Sequence, residues 1–125
     1  MTYMTLKELY ANIGGDYEQA MRVLRIDRLL DKHIRRFAQN GVIDELVAAG
    51  KAMDGTRLFE SAHAAKGVCS NLGLTEIAGL ASDIAEEFRP GNSRTMSDEE
   101  VAAKIDRVAE LGAKVKDGIR QYEAA

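Results

Sequence analysis

Residues 97–122, with the sequence SDEEVAAKIDRVAELGAKVKDGIRQY, decide the fold class of this chain. Ser97 and Glu100 have the spacing of a capping box, in which each side chain bonds the other residue's backbone amide, and this predicts the start of a helix. Beyond the cap, apolar and small residues recur at spacings of four and three, which keeps them on one face of a helix. They are Val101, Ile105, Val108, Gly112, Val115, Ile119 and Tyr122. This seam predicts a long helix packed in a bundle, with close helix approach at Gly112 because it has no side chain.

The composition of the whole chain agrees with a helical domain. The 125 residues include one Pro and many Ala, Leu, Glu, Lys and Arg, which favour helix, and no stretch alternates like a strand. Since this is the length of one ordinary domain, we expect a single domain over residues 1–125.

Charge and cysteine content exclude several classes of function. Lys and Arg number 17 against 20 Asp and Glu, a formal net charge of −3, so the chain has no overall basic footprint for nucleic acid. The single Cys excludes an internal disulfide framework and an all-Cys metal site. No apolar run is long enough to span a membrane, and the start of the chain lacks the pattern of a signal peptide. We therefore expect a soluble, cytoplasmic protein.

Caps and glycines divide the N-terminal part into short helices. A capping box at Thr5–Glu8 opens the first helix, which ends near Gly14, and Asp16 can cap the second. The apolar phase slips at Asp27–Arg28, which predicts a break there, and Asn40–Gly41 predicts a stop.

Three further helices are predicted before the C-terminal one. The first covers Val42–Met53, the second Thr56–Leu72, and the third starts at a cap on Thr75. Pro90–Gly91 terminates the third helix, and Pro90–Thr95 is the clearest loop in the chain. The sequence thus predicts an all-α fold, an antiparallel four-helix bundle with additional short N-terminal helices.

The helix predicted over 56–72 carries a histidine on its outer face. At about 100° per residue, one narrow arc forms the buried stripe; it contains Leu58, Ala62, Ala65, Cys69 and Leu72. His63 points away from that arc, and Lys66 and Gly67 follow it on the same outer side. A glycine in an exposed helix interior costs about 1 kcal/mol relative to Ala, and it leaves room for another molecule beside His63.

These outer residues suit a phosphoryl group carried on the imidazole. A neutral imidazole nitrogen is a competent nucleophile near neutral pH, since the unperturbed pKa of histidine is about 6.5. The flexible ammonium of Lys66 can balance the added negative charge. In-line transfer requires access for a partner, which Gly67 and the small Ala64 leave open.

The stretch His63–Leu74, HAAKGVCSNLGL, resembles the signature of histidine-containing phosphotransfer (HPt) domains. That signature is a histidine, then Lys-Gly at plus three and plus four, then Asn-Leu-Gly. The run Gly14–Tyr17 and the acidic, apolar segment Val42–Met53 are also similar to the family, so the resemblance covers at least residues 14–89. Two features depart from it: Ala64–Ala65 replaces a bulkier pair, and the region 40–55 is longer and more broken.

The resemblance implies a function, its site and its partners. HPt domains accept a phosphoryl group from an aspartyl phosphate on a receiver domain, or pass one to it. His63 matches the phosphoacceptor, Lys66 the supporting cation and Gly67 the position that gives the partner clearance. The implied partners are a response-regulator receiver domain, a hybrid sensor histidine kinase, or both. The receiver supplies the acidic pocket and Mg²⁺, and the domain has no cofactor and no kinase or phosphatase centre of its own.

Several neighbouring residues are candidates for contact with the partner. Phe59 lies outside the buried stripe, so it either tucks under a neighbouring helix or is an exposed docking anchor. Ala64, Ser70 and Leu74 are weaker candidates for the same surface. Asn71 and Gly73 have a structural reading, the end of the His63 helix with Gly73 in the left-handed conformation.

The other histidine and the basic residues have simpler interpretations. His33 is followed by Ile34 rather than by a Lys-Gly pair, so we expect it on the flank of its helix. No carboxylate or Cys cluster lies at ligand spacing around His33 and His63, so no metal site is predicted. Cys69 on the buried stripe is expected to be an inert core residue. The basic run is either a solvated face or a patch that meets the acidic surface of a receiver; it comprises Arg22, Arg25, Arg28, Arg35 and Arg36.

Two other functions stay open at this point. The chain could be a non-catalytic, HPt-like helical module that binds a receiver without exchanging phosphate, although the intact set of His63, Lys66 and Gly67 argues against it. It could also be the phosphoacceptor module of a larger, chemotaxis-type kinase.

Overall fold

The computed structural model describes residues 3–125, and this range contains seven α-helices and no strand. The helices are α1 (Leu6–Ile13), α2 (Tyr17–Leu24), α3 (Asp27–Phe37), α4 (Val42–Ala52), α5 (Gly55–Asn71), α6 (Thr75–Glu87) and α7 (Asp98–Ala124). Helices α4 to α7 pack against one another as the bundle, and the shorter α1, α2 and α3 lie against it. This confirms the predicted all-α fold and its additional N-terminal helices.

Ion pairs between the helices of the bundle show that neighbours run antiparallel. On α7, Lys104 pairs with Asp83 at 3.2 Å and Arg107 pairs with Glu76 at 2.9 Å. The later residue of α7 thus pairs with the earlier residue of α6, as expected for antiparallel helices. Lys116 pairs with Asp44 at 3.3 Å, near the start of α4. Only two residues separate α4 from α5 and three separate α5 from α6, and helices joined by such tight turns pack side by side.

The predicted seam of α7 is buried in the bundle. Val101, Val108 and Ile119 are fully buried, and a side chain at Gly112 would place its Cβ 2.8 Å from Cγ2 of Ile43 on α4. Gly112 thus allows the close approach that its place in the seam predicts. Buried apolar side chains from all seven helices join in one continuous core cluster.

The N-terminal helices fix the end of α5. The Tyr10 hydroxyl donates to the carbonyl of Leu72 at 2.7 Å, and the Asp16 amide donates to the carbonyl of Gly73 at 2.8 Å. Gly73 has φ of 68°, and a Cβ there would lie 2.2 Å from the Asp16 carbonyl oxygen. Only glycine fits this position, because both the backbone conformation and the space exclude a side chain.

The loop between α6 and α7 is held by the carboxylate of Glu87. Its two oxygens accept hydrogen bonds from the amides of Thr95 and Met96, the Thr95 hydroxyl and the guanidinium of Arg94, at 2.7–3.0 Å. These bonds, the one from the Met96 amide first, lower the pKa of Glu87 to about 2. A carboxylate with this many donors is stabilised in its ionised form, so it ties the loop to α6.

Several predicted boundaries differ from the structure by one or two residues: α4 ends at Ala52 rather than Met53, and α5 covers Gly55–Asn71 rather than Thr56–Leu72. The break expected at Asp27–Arg28 lies slightly earlier, where Arg25 has φ of 74° and the Ile26 amide donates to the Leu24 carbonyl at 2.9 Å. Thr75 was expected to cap α6, and that prediction is wrong: the N-cap is Leu74, with no side-chain cap bond. The reason is that α5 and α6 are joined so tightly that Leu74 both closes α5 and opens α6.

None of the helices described by the structure combines the length and the apolar character needed to cross a membrane.

Candidate functional site

The helix α5 presents the candidate site on its outer face. The Asp54 side chain caps it by accepting from the Arg57 amide at 3.2 Å. The predicted stripe is buried, since Leu58, Ala62, Ala65 and Cys69 are 0% exposed. His63, Ala64, Lys66 and Gly67 are exposed, as their helical phase predicts. Burial raises the pKa of the Cys69 thiol to about 12, which keeps the thiol protonated and unreactive.

The C-terminal end of α5 has the predicted left-handed glycine. The Gly73 amide donates to the Ser70 carbonyl at 3.2 Å, and the Leu74 amide donates to the Cys69 carbonyl at 2.9 Å. This pair of bonds is a Schellman motif, which satisfies the last carbonyls of the helix. It fixes where α5 ends, just over two turns beyond His63.

The imidazole of His63 stacks on the ring of Phe59, one turn earlier on the same helix. The two ring centroids are 5.9 Å apart with an interplanar angle of 21°. The guanidinium carbon of Arg89, just beyond the end of α6, lies 5.7 Å from the Phe59 centroid. Arg89 in turn pairs with Glu86 at 3.1 Å. The imidazole is therefore exposed to solvent but supported on one side.

Lys66 lies beside His63 with its charge available. Within residues 3–125 it takes part in no ion pair. The pKa of the nearby Glu86 carboxyl is lowered, mainly by its hydrogen bond from Arg89 and to a smaller extent by the charge of Lys66. An ammonium without a fixed partner can turn toward a new negative charge on the imidazole.

The backbone at Gly67 is exposed on the outer face of α5. Among residues 3–125, no heavy atom outside its own stretch of helix would lie within 4 Å of a Cβ built there, whereas a Cβ at the buried Gly112 would collide with a neighbouring helix. Gly67 thus has no packing reason to lack a side chain, and its exposed position is consistent with the predicted clearance.

The structure places the four docking candidates differently. Ala64 is exposed, whereas Phe59 and Ser70 are half-buried. The prediction that Leu74 contributes to the docking surface is wrong, because Leu74 is only 3% exposed. Its side chain packs in the core at the turn between α5 and α6, where the Schellman motif turns an apolar residue inward.

A groove beside the site was missed from the sequence. It lies between α5 and the N-terminal helices and has a volume of about 360 Å³. Its lining residues are Leu24, His33, Arg36, Asn40, Val68, Asn71 and Leu72. His33 is half-buried there, and no sequence signal joins it to α5, because its neighbours come from helices far apart in the chain.

The contact of Arg89 with Phe59, and the pairing of Arg89 with Glu86, were also missed. The sequence carries a weak signal for this neighbourhood. In a helical hairpin with its turn at 72–74, Phe59 is as far before the turn as the end of α6 is after it, so the two lie opposite each other.

The arginines of the basic run have different surroundings. Arg35 pairs with Asp31 at 3.0 Å and with Glu123 at 3.3 Å, so it stabilises the contact of α3 with α7. Arg22, Arg25 and Arg28 are exposed around the junction of α2 and α3. Two apolar residues are also exposed there: Val23, in the last turn of α2, is 47% exposed and Ile26, the N-cap of α3, is 45% exposed.

Comparison with known proteins identifies the family. Neither the curated proteins nor the solved structures that were searched contain a significant match. The family model of the Hpt domain matches residues 22–124 of the 125-residue chain, which includes α3 to α7 and the whole candidate site. The chain therefore belongs to the Hpt domain family, whose members are helical phosphocarrier modules of two-component signalling.

Proposed function

We propose that this protein carries a phosphoryl group on His63 between receiver domains, as the middle step of an Asp–His–Asp phosphorelay. The observation that carries the proposal is the exposed imidazole in the middle of α5, with the open backbone of Gly67 on the same face. Lys66, also on this face, forms no ion pair within residues 3–125. Family membership supports the same chemistry.

The proposed transfer is a displacement at phosphorus. The lone pair of the unprotonated imidazole nitrogen of His63 attacks the phosphorus of an aspartyl phosphate on the receiver. A nitrogen–phosphorus bond forms as the bond from phosphorus to the aspartate oxygen breaks, and the aspartate leaves as a carboxylate. The other imidazole nitrogen then releases its proton to solvent. The reverse sequence passes the phosphoryl group to a second receiver.

Each residue of the site has a defined part in this proposal. Lys66 offsets the charge of the phosphoryl group on the imidazole, and Gly67 with Ala64 leaves space for the receiver to approach in line. The receiver or hybrid kinase brings the acidic pocket and its Mg²⁺, so the chain needs no cofactor of its own. A relay between such partners is expected to operate in the cytoplasm.

The test uses a panel of receiver domains phosphorylated with labelled acetyl phosphate and Mg²⁺. We expect at least one receiver to transfer label to the wild-type chain. His63→Gln should abolish labelling, whereas His33→Gln, the matched control at the other histidine, should keep it. Label retained by the His63→Gln variant would contradict the assignment of His63 as the phosphoacceptor.

The same experiment tests the non-catalytic alternative. A receiver that binds the wild-type chain tightly but keeps all its label would favour a module that docks without exchanging phosphate. Binding measured by calorimetry beside the labelling assay separates these two outcomes.

A further inference from the structure

We propose that Phe59 is a positioning residue that holds the imidazole of His63 in the orientation needed for transfer, and that Arg89 holds Phe59 in place. This inference rests on the proposed phosphoryl transfer. The observations are the stacked rings of Phe59 and His63, with centroids 5.9 Å apart, and the guanidinium of Arg89 over the Phe59 ring at 5.7 Å.

An exposed imidazole needs such support. In a helix the first side-chain torsion of His63 has about two accessible wells and the second is roughly two-fold, which leaves about four orientations. The attacking nitrogen must meet phosphorus in line, so only a fraction of these orientations is productive. A ring packed on one face of the imidazole, four residues earlier on the helix, restricts it to the orientations that keep the stack.

Phe59 is itself fixed by the end of α6. It is half-buried, and the guanidinium over its ring bonds the Glu86 carboxylate through Nε at 3.2 Å and through Nη2 at 3.1 Å. Asn92 donates to the backbone carbonyl of Glu86 at 2.9 Å, which secures this end of the helix. The support of His63 thus extends from α5 to α6, beyond the motif that carries the histidine.

Positioning and docking make different kinetic predictions for Phe59. A docking anchor that meets the receiver changes the receiver concentration at half-maximal transfer. A positioning residue changes the maximal transfer rate, because it acts after the receiver is bound. Contacts of the Phe59 ring with His63 and Arg89 occupy the ring within the protein, which favours the second role.

The experiment compares Phe59→Leu, Phe59→Tyr and the matched control Phe88→Leu in the full chain. Phe88 is also half-buried beneath an arginine, with Arg94 4.6 Å from its ring centroid, but it is the Phe59 ring that stacks on His63. We expect Phe59→Leu to lower the maximal rate roughly two- to fourfold at unchanged half-saturation, in line with the number of orientations released. Phe59→Tyr should restore the rate, and Phe88→Leu should leave it unchanged in the folded fraction.

Proton NMR gives a readout that does not depend on transfer. The ring protons of His63 should carry a ring-current shift from Phe59 that is lost in Phe59→Leu, kept in Phe59→Tyr and weakened in Arg89→Met. An unchanged maximal rate in Phe59→Leu, or an effect confined to half-saturation, would overturn the positioning role. A His63 spectrum in Arg89→Met identical to the wild type would overturn the part assigned to Arg89. A wild-type chain that no receiver labels would instead overturn the proposed function, so the two failures are distinguishable.

Discussion

At the scale of single residues, helical phase decides which side chains of α5 reach solvent. His63, Lys66 and Gly67 are exposed because they lie opposite a stripe of apolar residues that are 0% exposed. Their surroundings differ even so: His63 is stacked, Lys66 is unpaired within residues 3–125, and Gly67 is open. The residue-scale predictions follow from these differences.

Lys66→Ala should slow phosphoryl transfer without unfolding the bundle. Two unit charges about 4 Å apart interact by about 1 kcal/mol in water, so we expect at least about a fivefold loss of rate. The melting temperature should stay within a few degrees of the wild type, because exposed charges contribute only about 0–1 kcal/mol to stability. Lys51→Ala, at an exposed lysine on α4, is the control. Equal transfer rates in the two variants would remove the electrostatic role of Lys66.

Gly67 and Gly79 form a matched pair. Both are exposed in helix interiors, and a Cβ at either position would meet no heavy atom within 4 Å from the described part of the chain outside its own stretch of helix. Alanine at each should raise the free energy of unfolding by about 0.5–1 kcal/mol, because glycine is the poorer helix former. Gly67→Leu should in addition block transfer, whereas Gly79→Leu should not. Urea denaturation and the labelling assay measure these effects, and normal transfer by a folded Gly67→Leu variant would contradict the clearance role.

At the scale of helices, small residues set how closely the elements approach. Gly112 on the predicted seam of α7 faces Ile43, and Gly118 one to two turns later faces Ile13 of α1. The seam in the sequence predicted the first approach. The second was not predicted, because the partner α1 lies at the other end of the chain and leaves no periodic trace in α7.

Gly118→Ala should lower the free energy of unfolding, whereas Gly79→Ala should raise it. A Cβ at Gly118 would lie 2.3 Å from Cγ2 of Ile13, so the two helices must move apart. Overpacking of this kind costs about 1–3 kcal/mol, which calorimetry should register as a melting temperature several degrees lower. A Gly118→Ala variant as stable as the wild type would mean that α1 is not held against α7 at this distance.

At the scale of the whole molecule, one carboxylate links stability to pH. Glu87 has a pKa of about 2 in the fold against an ordinary value of 4.5, chiefly because the Met96 amide donates to it. The folded state therefore favours the ionised form. Its contribution is fully present above about pH 4.5 and is lost as the pH falls from there toward 2, where the unfolded chain binds the proton first.

Glu87→Gln should lower stability at pH 7 and flatten its decline on the acid side. Denaturant midpoints measured at pH 7, 4 and 3 should fall less steeply for Glu87→Gln than for the wild type. Glu60→Gln, which removes an exposed acid from α5, should leave the slope unchanged. Parallel curves for Glu87→Gln and the wild type would show that this carboxylate does not hold the loop.

The amino-acid sequence by itself determined the helices, the core stripe and the outward set of His63, Lys66 and Gly67. Helix caps, glycines and apolar periodicity are features of a few consecutive residues, so they can be recognised without knowing which helices pack together. The boundary of α6 and the place of Leu74 were read wrongly, since a three-residue turn must serve two helices at once.

Only the tertiary structure decided what surrounds the histidine. Three features depend on which helices pack together: the guanidinium of Arg89 over Phe59, the groove that includes His33, and the close approach of α1 to Gly118. Such contacts join residues far apart in the chain, where no local spacing records them. The proposed phosphoacceptor His63 is thus predicted from the sequence of one helix, whereas the side chains around it depend on how the other helices pack.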